Sequence, residues 1–512
     1  MARRLITRPA TAAAAALLGL GLVGTAGPAQ AATASAPQGA TLTAACLDSD
    51  VSLSVEESRL NNTLPRSDDP SKLQSASFAR KMIDGAGFQQ FGPALVRNLC
   101  RTDGLAATQR LVQQQGERLW RMAVDRAQRK HGAVQGALPS SDDRPLYWAR
   151  LQATAALRQW DPSFRLSAHQ RSLLITQFDK VSRGMSDISF PTGGHAKHVV
   201  LSGFDPYTLD GGDVGTAPGA TGNNIRHGNP SGAVALSLDG TTYTAKNGTT
   251  QAIQTYVLPV NYTEFAAGYL EDTVGPLMRS HEVTASITVS QYGGDSFKLE
   301  QWNGRYHGVS PGNDLSQPCP NVDGQAQLAI DNHGCNTQVV PRWGGPHSFQ
   351  LGNPPQWTTT SLPIGAMIRA NTGKNVPRPP GDTWPDASTA FGVIWHTNYT
   401  EFPDCTSPTL VTRNDPPPTT FPPPTAPVPP DPHSCAYAGG GGNYLSNESA
   451  YRNTLLRDRL GLDIPAGHIH TPGMQNFDVG DLYRPSDHTF NAWRLAIVAQ
   501  TNNLVHVVGA RS

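Results

Sequence analysis

Between His198 and Ser290, short apolar runs alternate with longer segments of helical spacing. That alternation restricts the fold more than any other feature of the 512-residue chain. Val199-Val200-Leu201 is closed by Ser202-Gly203, as expected of a strand buried on both faces. Thr255–Val260 and Ala285–Ser290 repeat the pattern, and Tyr262–Arg279 between them reads as helix. Strands that alternate with helices favour a parallel sheet, because the crossover helix returns the chain to start a new strand in the same direction. The expected class is α/β: a three-layer α/β/α domain with a mostly parallel, twisted sheet over residues 196–512, preceded by a small helical domain.

Residues 46–186 supply that helical domain. Leu105, Leu111, Val112, Leu119 and Met122 keep to one face, and Leu146, Ala149, Ala153, Leu157 and Trp160 recur at intervals of three and four. Asp142 and Asp143 before Pro145 make a helix start, and Ser167 precedes a third helix carrying Leu173, Leu174, Phe178 and Val181. The block carries no chemistry and reads as a bundle that packs on or shields the next domain. Pro191-Thr192-Gly193-Gly194 marks the boundary.

The chain opens with an export signal at residues 1–31. Arg3, Arg4 and Arg8 form a positive leader, Ala12–Val23 is apolar, and Ala29-Gln30-Ala31 has the small-x-small cleavage pattern, so a secreted mature chain begins near Ala32. Twelve apolar residues fall short of the roughly 20 that a membrane-spanning helix needs. Forty basic residues balance forty acidic ones, which leaves no electrostatic source for nucleic-acid or anionic-membrane binding. Six cysteines in an exported chain read as disulfides, and their spacing suggests Cys46–Cys100, Cys319–Cys335 and Cys405–Cys435. No Cys-x-x-Cys pair suggests a zinc ribbon, and full pairing leaves no thiol for catalysis.

A proline-rich run between Asn414 and His433 can be neither helix nor sheet interior and should form an extended surface excursion flanked by Cys405 and Cys435. The wider stretch 374–433 reads as an insertion that could lie over the mouth of a site.

Three separated motifs converge on one site. The first is Gly203-Phe204-Asp205-Pro206-Tyr207 after the first strand, followed by Asn229-Pro230-Ser231. The second is Thr359-Thr360-Ser361-Leu362-Pro363-Ile364. The third is Tyr444-Leu445-Ser446-Asn447 after four glycines, with Gly467-His468-Ile469-His470-Thr471-Pro472 close behind. In this order the motifs resemble those of the type I pyroglutamyl peptidases, cysteine hydrolases that remove N-terminal pyroglutamate from peptides. The resemblance covers residues 198 to about 475 and leaves the helical block outside it.

The resemblance implies roles position by position. Ser446 stands where that family has its nucleophilic cysteine, and His470 falls on the general base, with His468 replacing a phenylalanine. Glu300, after Gly293-Gly294, matches the third member of the triad, although the arginine that follows it in the family is Gln301 here. Phe204 and Tyr207 map to the aromatics that hold pyroglutamate, and Gln291 to a glutamine before the Gly-Gly pair. The residues alone support acyl transfer: a hydroxyl at a helix N-terminus after a glycine-rich turn sits where backbone N–H groups stabilise developing negative charge. A serine there depends fully on a general base, giving a Ser446–His470–Glu300 arrangement. Cys435, eleven residues upstream of Ser446, lacks the helix-start position that activates a thiol.

Plainer readings stand beside these. Ser446 suits a helix cap, Glu300 a solvated surface, and Phe204 and Tyr207 a core. His468 and His470 alternate on one segment, and a zinc site with His488 competes with one structural and one catalytic histidine. Two functions therefore remain. One is a secreted, cofactor-free hydrolase acting on a peptide or small acyl-amide through Ser446, His470 and Glu300. The other is a binding protein that has kept the pocket and lost catalysis. Ser446 and His470 within hydrogen-bonding reach favour the enzyme, and separation of their side chains by an inserted loop favours the binder.

Overall fold

The apolar runs become the inner strands of a seven-stranded sheet. The computed structural model describes residues 37–191, 194–306, 308, 310–315, 354–380, 391–407, 409–474 and 483–512. The signal segment 1–31, Cys319, Cys335 and two residues of the expected domain boundary lie outside the described residues. Pro37–Ser512 form one compact unit.

The N-terminal block contributes helices α1 (Val55–Ser58), α2 (Phe78–Gly85), α3 (Phe91–Leu99), α4 (Leu105–Ala127), α5 (Arg144–Gln159) and α6 (Ala168–Val181). Ser167 starts α6 as expected, through a capping box with Gln170. Of the apolar residues assigned to α6, Leu174, Phe178 and Val181 are buried, whereas Leu173 is exposed.

The α/β part follows as β1 (Lys197–Phe204), α7 (Pro230–Leu238), β2 (Thr241–Thr244), β3 (Thr250–Leu258), α8 (Tyr262–Ala266), α9 (Tyr269–Arg279), β4 (Ala285–Gln291), β5 (Phe297–Glu300), β6 (Trp302–Gly304) and β7 (Trp357–Thr359). It continues with α10 (Ile364–Ala370), β8 (Val393–His396), β9 (Tyr399–Phe402), β10 (Val411–Arg413), β11 (Cys435–Ala438), α11 (Leu445–Arg459), β12 (Ala466–Thr471) and α12 (His488–Gly509). The helical stretch Tyr262–Arg279 is broken in two at Gly268, whose φ of 80° lies in the left-handed region that glycine adopts without strain.

The main sheet has the order β2-β3-β1-β4-β12-β5-β8. Strands β3, β1, β4 and β12 run parallel. Strand β2 is antiparallel to β3, β5 is antiparallel to β12, and β8 is parallel to β5. Sides alternate residue by residue, as the period of a strand requires. Val199 and Leu201 join a core with α7, α12 and the N-terminal helices, whereas Val200 and Phe204 join one with α8, α9 and α11. Helices thus cover both faces, giving an α/β/α domain with a mostly parallel sheet and an N-terminal helical region.

The stretch 374–433 contributes strands to two sheets. Val393–His396 forms the edge strand β8 of the main sheet, and β9 and β10 pair with β11 in a small second sheet. Within the stretch, the proline-rich run carries no helix or strand, and the Cys405–Cys435 disulfide closes its base. Cys46–Cys100 is also formed, tying the start of the described chain to the end of α3. Among the described residues no helix is long and apolar enough to cross a membrane.

Candidate functional site

Parallel strands place their carboxyl ends side by side, which is where open α/β sheets hold ligands. Here Phe204 ends β1, Ser290 and Gln291 end β4, and His470 lies one residue from the end of β12. Phe204, Tyr207, Ser290, Gln291, Tyr444 and Ser446 line one pocket, together with Asn229, Val260 and Leu445. All three residues expected to bind substrate are therefore in one lining, with the expected nucleophile beside them.

The turn after β1 is held from outside the α/β part. Asp205 accepts from Nη1 of Arg150 at 2.9 Å to both oxygens and from Nη1 of Arg183 at 2.6 Å. Arg150 is on α5, and all three side chains are buried. Asn229 Nδ2 donates to the carbonyl of Asp205 at 3.2 Å, so the Asn-Pro motif braces the same turn. Within the pocket, Gln291 Nε2 donates to Tyr207 Oη at 2.8 Å, while Gln291 Oε1 is buried without a partner.

Ser446 is the second residue of α11, and its side chain is not the cap. Asn447 fixes the helix start by accepting from Gly304 N–H at 3.0 Å and donating to Gly304 C=O at 2.7 Å. The glycine run before it meets Glu300: a Cβ on Gly440 would collide with Glu300 Oε2. This position has to be glycine for the carboxylate to fit.

Glu300 is fully buried, not solvated. His470 Nδ1 lies 2.7 Å from its Oε1, and His396 Nδ1 lies 2.6 Å from its Oε2. Burial pushes this carboxyl up, but the charge and hydrogen bond of His396 and those of His470 outweigh it and hold it well below the usual carboxylate range. An ionised carboxylate only accepts, so both histidines donate Nδ1–H to it. In neutral His470 the lone pair is then on Nε2, which is buried and has no hydrogen-bond partner.

The two expected halves of the catalytic arrangement are neighbours but not joined: His470 is the register partner of Ser290, which lines the pocket with Ser446. Glu300 and His470 are joined, and Ser446 sits with the pocket aromatics, but no hydrogen bond joins Ser446 to His470. His396 was missed in the sequence because it closes a four-residue strand within a segment rich in proline. Its register partner on β5 is Glu300, a pairing that sequence alone does not reveal.

His468 has no free atom. Nδ1 is 2.7 Å from Thr288 Oγ1 and Nε2 is 2.8 Å from Ser290 Oγ, and burial pushes the ring's pKa well below its ordinary value. With both nitrogens occupied it has no lone pair for a metal, and His488 opens α12 instead of joining it. Among the described residues no group of three or more His, Cys, Asp or Glu side chains could hold a metal ion. The Thr-Ser-Leu-Pro motif also lies outside the pocket. Ser361 Oγ accepts from Ala466 N–H at 2.8 Å and from Arg457 Nη1 at 2.6 Å, bracing the start of β12 against α11. Gln301, at the position of the missing arginine, accepts from Trp395 Nε1 at 2.7 Å.

Comparison with known proteins gives two kinds of likeness. Among solved structures, a mutant pyrrolidone carboxyl peptidase from Pyrococcus furiosus overlaps 61% of this chain and 99% of its own, at 14% identity and a TM-score of 0.32. Pyroglutamyl peptidase I of Bacillus amyloliquefaciens overlaps 62% of this chain and 98% of its own, at 16% identity and a TM-score of 0.31. Scores that low carry no argument about activity. The Pseudomonas aeruginosa protein PA0049, named as uncharacterized, is 42% identical over 506 residues, which cover 90% of each chain. The model of the PA0049 C-terminal domain matches residues 198–475, and that of the PA0049 N-terminal domain matches 33–179. On that identity and coverage of both domains, the chain belongs to the PA0049 family.

Proposed function

We propose that this protein is a secreted hydrolase of the pyroglutamyl-peptidase type, acting on a cyclic or related acyl amide through Ser446, His470 and Glu300. The observation that carries this reading is the buried Glu300–His470 pair: an ionised carboxylate that fixes the imidazole tautomer and leaves Nε2 as an unpartnered base. A buried histidine oriented by a carboxylate, beside a pocket with a hydroxyl at a helix start, is the equipment of acyl transfer. The unpartnered Gln291 Oε1 suits the N–H of a lactam ring, and Phe204 and Tyr207 suit its apolar edge. The export signal and the two disulfides fit an extracellular setting.

In the proposed reaction, Ser446 Oγ attacks the acyl carbonyl while its proton passes to His470 Nε2. Backbone N–H groups in the first turn of α11 stabilise the oxyanion, and His470 returns the proton to the leaving amine. A water then loses its proton to His470 and attacks the acyl-serine, and His470 passes that proton to Ser446 Oγ as the acid leaves. Formation of the Ser446–His470 hydrogen bond belongs to the substrate-bound state, since such bonds tighten only on binding.

The second reading, a binding protein with the same pocket, is favoured by the absence of that hydrogen bond. Release of a fluorophore from a pyroglutamyl amide by the purified mature protein, with Ser446→Ala and Ser446→Cys alongside, separates the two. Wild-type activity lost in Ser446→Ala supports the serine hydrolase. Activity that appears only in Ser446→Cys identifies an intact pocket that has lost its nucleophile. Silence in all three overturns the pyroglutamyl substrate.

A further inference from the structure

Glu300 comes from β5 and accepts on each oxygen from a different strand: His470 from β12 and His396 from β8. Those two strands flank β5 in the sheet, so the carboxylate is gripped from both sides. The backbone of Gly440 packs against Oε2, the oxygen that His396 holds. In so enclosed a place an oxygen without a donor costs the full desolvation of a charge. A carboxylate held on one oxygen alone could also rotate about its last side-chain bond, which has no strong rotamer preference.

We propose that His396 is a positioning residue of the site: by donating Nδ1–H to Glu300 Oε2, it keeps the carboxylate ionised and its Oε1 in place for His470. It is not part of the pocket lining and acts only through Glu300. The groups that bear on Glu300 are His396 on β8, His470 and, at longer range, His468 on β12, and the Gly440 backbone before α11. The kinetic part of this proposal rests on the hydrolase reading, whereas the hydrogen-bond part does not.

The test uses the full mature chain with 15N-labelled histidine and two substitutions. His396→Asn keeps an N–H donor near the position of Nδ1, and His396→Leu removes it. Beside the Nδ1–H of His468, two carboxylate-bonded imidazole N–H protons are expected at lowest field in the wild type, one each from His396 and His470. His396→Asn should lose one and leave the His470 resonance in place, whereas His396→Leu should also move or broaden the His470 resonance. If His396→Leu does not fold, His396→Met, unbranched and without a donor, replaces it.

On an acyl-amide substrate, His396→Leu should lower kcat on the order of 10- to 100-fold with little change in KM, as losses of orienting partners do. The acid limb of its pH profile should move to higher pH, because Glu300 is then easier to protonate, and His396→Asn should restore both. A His470 resonance that stays put in His396→Leu overturns the proposal. So does an activity loss that His396→Asn fails to rescue. A wild type inactive on every substrate defeats the hydrolase reading, while the resonances still decide the role of His396.

Discussion

Substituting phenylalanine for His468 would strip two buried hydroxyls of their shared partner. Thr288 Oγ1 keeps a long bond to Gly467 C=O at 3.4 Å, so its proton is accounted for and it accepts from His468 Nδ1–H. His468 Nε2 is then the acceptor of the Ser290 hydroxyl. Each buried polar group left unpaired costs about 1–3 kcal/mol, so His468→Phe should destabilise the protein by roughly 2–4 kcal/mol. A fall in the urea midpoint at unchanged slope would show this; an unchanged midpoint would mean that the hydroxyls find other partners. Residues of this kind mark where sequence reading stops. The alternation of His468 and His470 is visible in the string, but their different fates depend on strand neighbours. Thr288 and Ser290 close the first ring, and Glu300 holds the second.

At the scale of elements, strands were legible where a short apolar run, or one rich in β-branched residues, stood out from its surroundings, as in β1, β3 and β4. Strand β8 was hidden because Val-Ile-Trp-His is too short to stand out and lies in a proline-rich stretch. The bundle was legible from its spacing, but its grip on the pocket was not, since Arg150 and Asp205 are 55 residues apart. This pair is where α5 holds the turn after β1. Breaking a buried ion pair leaves a charge uncompensated, so Arg150→Met should cost on the order of 3 kcal/mol, moderated by the remaining bond from Arg183. In a double-mutant cycle with Asp205→Asn, the combined loss should fall short of the sum by about 1–3 kcal/mol. Simple additivity would mean that the contact does not couple the two elements.

For the molecule as a whole, pH acts through groups at the seam between the two parts. Burial, and then the neighbouring charge of Asp142, push the carboxyl of Asp143 up to about 7. Its folded pKa is above the unfolded value of about 4. Its contribution to stability is therefore fully present below pH 4 and is lost as pH rises through 7, at up to about 1.4 kcal/mol per unit. Asp143→Asn removes that dependence. Its melting temperature relative to wild type should climb between pH 5 and pH 7 and level off above, whereas a constant offset would place the carboxyl in a wetter setting.

The Cys405–Cys435 bond bears on how such a chain can vary. It fastens the two ends of the proline-rich excursion where β9 and β11 already pair, and of what lies beyond the staple only β10 adds a strand to the small sheet. Thr425 and Ala426 at its far end are exposed. Lengthening a tethered loop adds little entropy penalty, growing only with the logarithm of its length. That makes this excursion the place where related chains can gain or shed sequence, as a pendant on a clasp, while the carboxylate and its two histidines stay where the sheet puts them.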